Sequence, residues 1–141
     1  MSGKVFLDTN IFVYTQSKTE QEKRDIALNI IEKYDCYTST QVFNEISNVL
    51  IKKLKMPVNE VKEIITAINN CCKISNVTFD TVQKALDIKN QYDYSYYDSL
   101  ILAAAIFSGC EYLCSEDLQD GQMIDDKIEI VNIFKRDIVD I

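Results

Sequence analysis

Short apolar segments alternate along this chain with longer segments in which apolar residues recur at helical spacing. The first apolar segment, residues 4–7, is followed by a stretch in which Ile26, Ile30 and Ile31 share one helical face. The same patterns predict strands at 4–7, 36–39, 74–77, 112–114 and 129–133, and helices at 22–34, 41–54, 58–70, 81–90 and 96–107. Because parallel strands need a crossover between them, this alternation favours an α/β fold with a mainly parallel sheet.

Length and composition favour a single domain that spans residues 1–141. With only three Gly and one Pro, the chain has no segment that resembles a flexible linker. Its five cysteines are odd in number and lack C-x-x-C spacing, so neither a disulfide framework nor a zinc site is predicted. The longest apolar run, residues 100–107, is far shorter than the roughly 20 residues of a membrane-spanning helix, and the N-terminus lacks a signal-peptide pattern. We therefore expect a cytoplasmic protein without a membrane partner.

Acidic residues follow two of the predicted strands. Asp8 ends the strand at 4–7, and Asp117 comes shortly after the strand at 112–114. Ligands of open parallel sheets bind beyond the carboxyl ends of the strands, so both side chains are expected to face one crevice. Glu45 lies on the flank of the apolar stripe of the next predicted helix and should be partly buried and point inward.

Asp98 lies in the first turn of a predicted helix that is apolar on nearly every side. Such a helix should lie in the middle of the domain, where an ionised carboxylate needs a partner. No Lys or Arg is near it in sequence, so a cation or a capping interaction must compensate its charge. Capping is a real alternative, because Ser95-x-x-Asp98 resembles a capping box.

The other acids also have structural interpretations. Asp8 could cap the helix that follows it, Ser115 to Asp117 could form a similar cap, and Glu45 could be an ordinary helix-surface residue. The set as a whole favours a hard divalent cation such as Mg²⁺ or Mn²⁺, because carboxylates converge while the chain contains no histidine. Phosphoryl transfer or hydrolysis assisted by metal is the predicted chemistry.

Four segments in order resemble the motifs of the PIN-domain nucleases. They are VFLDTN at 5–10, NEI at 44–46, YDSLILAAA at 97–105 and LCSEDL at 113–118. The match extends over almost the whole chain, and the compact size and the SEDLQ segment at 115–119 are most similar to the VapC toxins of toxin–antitoxin pairs.

The resemblance implies a three-layer α/β/α domain with the activity of a Mg²⁺- or Mn²⁺-dependent endoribonuclease. It assigns the catalytic, metal-binding role to four acids, Asp8, Glu45, Asp98 and Asp117. Asn10 and Ser115 match supporting polar positions of the first and last motifs. It also implies an RNA substrate, a small antitoxin partner and a homodimer. One departure is Asp120, which stands where many relatives have His and could add a negative group at the rim of the site.

Two features bear on RNA binding without deciding it. The net charge of −7 is unfavourable for a polyanion, although cation binding would offset part of it and lysines cluster at 52–55. Tyrosines precede Asp98 and could either stack on an unpaired base or pack against the domain; they are Tyr92, Tyr94, Tyr96 and Tyr97.

Three other functions remain open at this stage. A housekeeping RNA-processing PIN nuclease would carry the same acids, and a non-catalytic RNA- or protein-binding PIN module would be favoured if one were missing. An Asp-nucleophile phosphatase also begins with a strand-terminal Asp but typically needs a second acid two residues later, where this chain has Asn10. The lack of histidine disfavours a metal-free ribonuclease mechanism, which usually relies on imidazole groups.

Overall fold

Strands and helices alternate along residues 3–138, which are the residues that the computed structural model describes. Positions 1–2 and 139–141 of the expected domain lie outside the described residues. The strands are β1 (Lys4–Leu7), β2 (Asp35–Ser39), β3 (Lys73–Ser75), β4 (Tyr112–Cys114), β5 (Met123–Ile124) and β6 (Ile128–Val131). The helices are α1 (Thr9–Tyr14), α2 (Gln21–Lys33), α3 (Thr40–Lys52), α4 (Val58–Cys71), α5 (Phe79–Tyr92) and α6 (Tyr96–Phe107).

The strands form one mixed sheet in the order β3-β2-β1-β4-β6-β5. All neighbouring pairs are parallel except β5 and β6, which are antiparallel. From β1 the chain moves outward through β2 to β3 and then returns to the other side of β1 as β4. The strand order therefore reverses between β1 and β4, and in such sheets the crevice at the carboxyl ends of the two strands is the usual ligand site.

The core lies around the central strand and α6. Val5, Phe6 and Leu7 of β1 are fully buried, because helices cover both faces of the sheet in a three-layer α/β/α arrangement. Every residue of α6 from Ser99 to Ala105 is buried, which confirms the central position predicted from its apolar sequence. Within residues 3–138, no helix combines the length and the apolar character that crossing a membrane requires.

Most predicted elements are observed with bounds that differ by a few residues. The strands at 4–7 and 112–114 and the helix at 96–107 have the predicted bounds. The predicted strand at 74–77 is observed one residue earlier and ends at Ser75.

Two short elements, α1 and β5, were not among the predicted ranges, although a helix after Asp8 was one alternative. Helix α1 has six residues, fewer than two turns, so its apolar residues cannot establish a helical period. Strand β5 has only two residues and joins β6 through a tight turn in which Asp125 and Asp126 have φ values of 53° and 52°. That backbone is typical of a type I′ hairpin turn. The sequences Asn-Gly and Asp-Gly usually indicate such a turn, whereas Asp-Asp is a weaker signal.

Candidate functional site

A pocket of about 200 Å³ opens beyond the carboxyl ends of β1 and β4 and gathers all four predicted acids. Its lining consists of Asp8, Thr9, Asn10, Glu45, Asn48, Val49, Asp98 and Asp117. The acids come from four separate parts of the chain, so the sheet topology and not sequence proximity unites them. No Lys or Arg is present among these lining residues. We refer to this cavity as the acidic pocket.

Asp8 is the most deeply buried of the four acids, with 7% of its surface exposed. It is the N-cap of α1, and its Oδ1 accepts a hydrogen bond of 2.7 Å from the backbone N–H of Thr9. The hydroxyl of Ser115 donates to Oδ2 at 2.8 Å. The predicted capping interaction is thus present, but a carboxylate has about four acceptor sites, so these two bonds leave capacity for a further ligand.

Burial raises the pKa of Asp8 to about 6. The hydrogen bonds from Thr9 and Ser115 oppose this rise, whereas the negative charges of Glu45 and Asp98 add to it. A carboxylate that is buried beside other carboxylates gains most from a nearby cation, because attraction to the cation favours the ionised form and so opposes both effects.

Glu45 projects from α3 toward the end of β1 and is half-buried. The hydroxyl of Thr9 donates to its Oε1 at 3.0 Å, and the amide of Gln41, one helical turn earlier, donates to its Oε2 at 3.0 Å. Thr9 therefore links two acids, through its N–H to Asp8 and through its hydroxyl to Glu45. These contacts hold Glu45 at the pocket in place of the solvent-facing orientation of an ordinary helix-surface residue.

Asp98 is half-buried in the first turn of α6. Its backbone N–H donates to the hydroxyl of Ser95 at 3.1 Å, so Ser95 caps the helix, which is one half of the predicted capping box. Burial raises the pKa of Asp98, and the charge of Asp117 adds to this effect while Ser95 opposes it. Among the ion pairs of residues 3–138, none involves Asp98 or another of the four acids.

Asp117 is exposed at the mouth of the pocket. The amide of Asn10 donates to its Oδ2 at 2.7 Å, which joins the start of α1 to the loop after β4. Ser115 in the same loop is fully buried, and it accepts a hydrogen bond from the N–H of Leu118 while donating to Asp8. Asn10 and Ser115 thus each contact one of the acids.

The neighbouring Glu116 points away from the pocket. Its carboxylate accepts from the hydroxyl of Tyr14 and pairs with the ammonium of Lys23, each at 2.5 Å. Burial opposes ionisation of Glu116, but the hydrogen bonds from Lys23 and Tyr14 together with the charge of Lys23 lower its pKa. This contact fastens the loop after β4 onto α1 and α2, so that Asp117 is the acid of that loop that faces the pocket.

Asp120 does not line the acidic pocket. Its Oδ1 accepts from the backbone N–H of Asn132 at 2.9 Å and from the Nε of Arg136 at 3.0 Å. These two bonds lower its pKa, and Arg136 compensates its charge. The structure therefore gives Asp120 a contact in the loop before β5 instead of an uncompensated negative group at the rim.

The four acids fit a hard divalent cation by donor type, since their oxygens are anionic and line one cavity. In their present orientations, however, no three His, Cys, Asp or Glu side chains among residues 3–138 are close enough together to hold an ion. The carboxylates of Asp8, Glu45 and Asp117 are directed at donors from the protein. Binding a cation would therefore require these side chains to rotate. Glu45 and Asp117 have room to do so, because neither side chain is fully buried.

Of the four tyrosines before Asp98, three pack against the domain and one is exposed. Tyr92 bonds Asp125 through its hydroxyl, and Tyr94 donates to the side chain of Gln122, so both hold the segment around β5. Tyr96 packs against the core. Tyr97 is the exception, because 61% of its surface is exposed.

Sequence reasoning did not identify three residues of the site. Thr9 and Gln41 position the acids, and Asn48 lines the pocket. The spacing of Gln41, Glu45 and Asn48 by four and three residues places them on one face of α3, a pattern that the sequence contains. The role of Thr9 depends on its place at the start of α1, where its N–H contacts Asp8 and its hydroxyl contacts Glu45.

The sequence matches the family model of the PIN domain over residues 5–136. A comparison with curated proteins gives no match. Several solved structures are similar in fold. VapC20 of Mycobacterium tuberculosis, described as a toxin that cleaves the sarcin–ricin loop, has 17% identity and a TM-score of 0.68 over 80% of this chain and 89% of its own.

Two other structures are toxin–antitoxin complexes. The complex from Klebsiella pneumoniae has 21% identity and a TM-score of 0.69, covering 92% of this chain and 97% of the other. The DNA-bound VapBC from Salmonella typhimurium has 18% identity and a TM-score of 0.63, covering 90% and 96%. At these identities the comparisons establish a shared fold.

Proposed function

Because the chain belongs to the PIN domain family, as its motifs predicted, we propose that it is an endoribonuclease that depends on Mg²⁺ or Mn²⁺ and serves as the toxin of a toxin–antitoxin pair. We also propose that residues 1–141 form one domain. The observation that carries the proposal is the acidic pocket, where four carboxylates meet without a Lys or Arg in the wall. Such a pocket attracts cations, and a cation beside carboxylates is the usual means of cleaving phosphodiesters without histidine.

In this proposal Asp8, Glu45, Asp98 and Asp117 hold the cation. A bound Mg²⁺ or Mn²⁺ would supply Lewis acidity, which lowers the pKa of water and offsets charge on the phosphodiester. The remaining groups orient the carboxylates: Ser115 and the N–H of Thr9 fix Asp8, and Asn10 fixes Asp117. The buried position of Asp8 keeps bulk water from screening its charge.

The products of this reaction are specified by its nucleophile. Attack by water with the 3′-oxygen as leaving group gives a 5′-phosphate and a 3′-hydroxyl, whereas attack by the ribose 2′-hydroxyl expels the 5′-oxygen and gives a 2′,3′-cyclic phosphate. The chain has no histidine, the group that usually activates the 2′-hydroxyl, so we expect the first pair of ends. RNA as substrate is supported by the fold shared with VapC20, whose description names cleavage of the sarcin–ricin loop.

The nuclease proposal is tested with purified protein and RNA. Cleavage should stop in excess chelator, return with Mg²⁺ or Mn²⁺, and produce 5′-phosphate ends that a phosphatase can remove. Ca²⁺ should support less cleavage, because its looser coordination aligns water less well. Full activity after exhaustive chelation, with a matched preparation of Asp8→Asn to detect contaminating nuclease, would contradict the proposal.

The toxin role is supported by the fold shared with toxin–antitoxin complexes. A protein inhibitor of the acidic pocket would need to supply a cation, and neither Arg24 nor Arg136 lines the pocket. We therefore propose that a small antitoxin places an Arg or Lys beside the four carboxylates.

Co-expression with the product of the adjacent gene tests this partner. The expected result is a stable, inactive complex, and replacing the inserted basic residue by Ala should restore cleavage before it abolishes binding. If expression of this chain is equally harmless with and without the neighbour while the purified protein still cleaves RNA, a housekeeping nuclease replaces the toxin.

A further inference from the structure

An open cleft of about 600 Å³ adjoins the acidic pocket on the side of Tyr97. It is lined by Gln41, Asn44, Glu45, Asn48, Tyr97 and Asp98. Glu45, Asn48 and Asp98 line both cavities. A group bound in this cleft, which we call the Tyr97 cleft, is therefore a direct neighbour of any group bound at the four acids.

One wall of the cleft is an exposed aromatic ring. Tyr97 leaves 61% of its surface accessible although it lies in the first turn of α6, where the seven residues after Asp98 are buried. The ring of Tyr96 lies behind it, with centroids 5.6 Å apart and planes inclined by 58°. The hydroxyls of Tyr92 and Tyr94 form hydrogen bonds with other side chains. Within residues 3–138, the hydroxyl of Tyr97 forms no such bond.

The opposite wall is a polar face of α3. Gln41, Asn44 and Asn48 recur at spacings of three and four residues and so project on the same side of the helix. The amide of Gln41 is used by Glu45. Within residues 3–138, no hydrogen bond engages the amides of Asn44 and Asn48, and both residues are exposed. Lys52 continues this face one turn beyond Asn48 and is also exposed.

The charges of the two walls favour an uncharged, flat ligand in the cleft. Glu45 and Asp98 would repel a phosphate placed between them, whereas a nucleobase carries no charge and offers a face for stacking and an edge for amide groups. A phosphate could instead approach Lys52, the positive group at the far end of the α3 face. A single nucleotide matches this order of groups, because its base can contact the ring of Tyr97 and the amides of α3 while its phosphate contacts the ammonium group of Lys52.

We propose that the Tyr97 cleft binds one unpaired nucleobase of the RNA next to the bond that is cut. The base stacks on Tyr97, Asn44 and Asn48 read its edge, and Lys52 contacts a flanking phosphate. The inference rests on the proposed function and deepens it, because it assigns recognition to residues that are not among the metal-binding acids.

A fluorescent reporter tests the stacking directly. The chain contains no Trp, so Tyr97→Trp gives a protein with a single tryptophan, and Phe107→Trp gives a matched control at the other end of α6, where 53% of Phe107 is exposed. Ca²⁺ replaces Mg²⁺ so that little RNA is consumed. Short single-stranded RNA should quench the fluorescence of Tyr97→Trp, whereas an abasic chain of the same length and Phe107→Trp should give no quenching. Equal quenching of both variants, or quenching by the abasic chain, would overturn the proposal.

Kinetics with Mg²⁺ provide the second measurement. Because stacking contributes binding that is independent of the reaction, Tyr97→Ala should raise KM at least about fivefold with kcat retained, and Tyr97→Phe should restore KM. Phe107→Ala should match the wild type. Asn44→Ala and Asn48→Ala should alter the preference among bases, as loss of an edge contact requires. The exposure of all these residues makes folding defects unexpected, and melting curves check this.

The outcomes separate this inference from the proposed function. If the wild type cleaves RNA and Tyr97→Ala has the same KM and base preference, the cleft proposal is wrong and the nuclease proposal stands. If the wild type does not cleave but Tyr97→Trp is quenched selectively, the cleft binds RNA in a protein that is not a nuclease. Absence of both cleavage and quenching rejects both.

Discussion

At the scale of single residues, Asp8 combines three properties that together distinguish it from an ordinary helix cap. It ends the central strand, it caps the next helix, and it is buried with a pKa raised to about 6. A residue that served only as a cap would be better placed at the surface, where a carboxylate keeps its hydration. Asn would supply the same acceptor to the N–H of Thr9 without a charge, so the carboxylate itself requires a functional explanation.

Asp8→Asn should therefore separate activity from folding. We expect a loss of cleavage of at least about a hundredfold, because removal of a metal ligand costs more than removal of a group that merely orients one. Without metal, the melting temperature should be unchanged or slightly higher, since the substitution relieves repulsion from Glu45 and Asp98. The control is Asp87→Asn, which removes one negative charge from an exposed position on α5. Near-normal cleavage by Asp8→Asn would remove Asp8 from the site.

The raised pKa of Asp8 also predicts a pH dependence of stability in chelator. Below the unfolded value of 3.8 the group is neutral in both states, and between about 4 and 6 only the folded state retains the proton. Unfolding then releases a proton, so the free energy of unfolding falls as pH rises and levels off above about 6, with a total of about 3 kcal/mol from this group.

Urea unfolding of wild type and Asp8→Asn at a pH of about 4.5 and a pH of about 7.5 checks this sign, because the first lies near the lower end of the window in which Asp8 titrates and the second lies above it. Glu116 and Asp120, whose pKa values are lowered, act in the opposite direction, but both remain in the variant and cancel in the difference. The free energy of unfolding of Asp8→Asn relative to wild type should be higher at the higher pH. A difference that does not change with pH would contradict the predicted titration.

At the scale of elements, the sequence predicts best where burial is complete and least where a segment is short. Helix α6 was predicted with its observed bounds because its apolar residues need burial on every side and Ser95 marks its start. Helix α1 and strand β5 were not assigned ranges, because neither is long enough for its apolar residues to show a helical or strand period. The same limit explains the site: the four acids follow predicted strands or lie in predicted helices, whereas Thr9 belongs to the short helix α1.

The contacts between elements could not be derived from sequence. That Asn10 meets Asp117 and Ser115 meets Asp8, each 107 residues apart, follows from the pairing of β1 with β4. A prediction of strands and helices does not specify which strands are neighbours. The resemblance to a family implied a three-layer domain with a mainly parallel sheet, and the strand order comes from the structure.

Helix α6 contains one buried polar group, the hydroxyl of Ser99, whose hydrogen bonding is not satisfied by the described residues. The hydroxyl of Ser99 is fully buried and has no hydrogen-bond partner among residues 3–138. Since an unpaired buried hydroxyl costs roughly 1–3 kcal/mol, Ser99→Ala should raise the free energy of unfolding by about 1 kcal/mol.

Ser47→Ala is the matched control, because Ser47 is also helical but donates to the carbonyl of Phe43 at 2.8 Å. Both substitutions gain the same helix propensity, so the difference between them reports the unpaired hydroxyl. Chemical denaturation should show Ser99→Ala as the more stable variant. Equal stability of the two would mean that Ser99 has a partner in solution.

At the scale of the whole molecule, the acidic pocket is a meeting point of distant parts of the chain. The end of β1, the middle of α3, the start of α6 and the loop after β4 each contribute one acid. The reversal of strand order beside β1 creates the crevice, and the like charges in it oppose folding until a cation compensates them. Cation binding in this site should therefore be coupled to the stability of the entire fold.

Thermal melting with and without metal measures that coupling. An ion that binds only the folded state at a hundredfold excess over its dissociation constant adds about 2.7 kcal/mol, which for a domain of this size raises the melting temperature by roughly 10 °C. Mg²⁺ and Mn²⁺ should both give such a shift, and Ca²⁺ should stabilise even where it supports little cleavage. Asp8→Asn should lose most of the shift, whereas Asp87→Asn should keep it, because both variants have the same net charge and only Asp8 lies in the pocket. A shift of equal size in the two variants would place the bound ion elsewhere on the surface and leave the four acids without their proposed role.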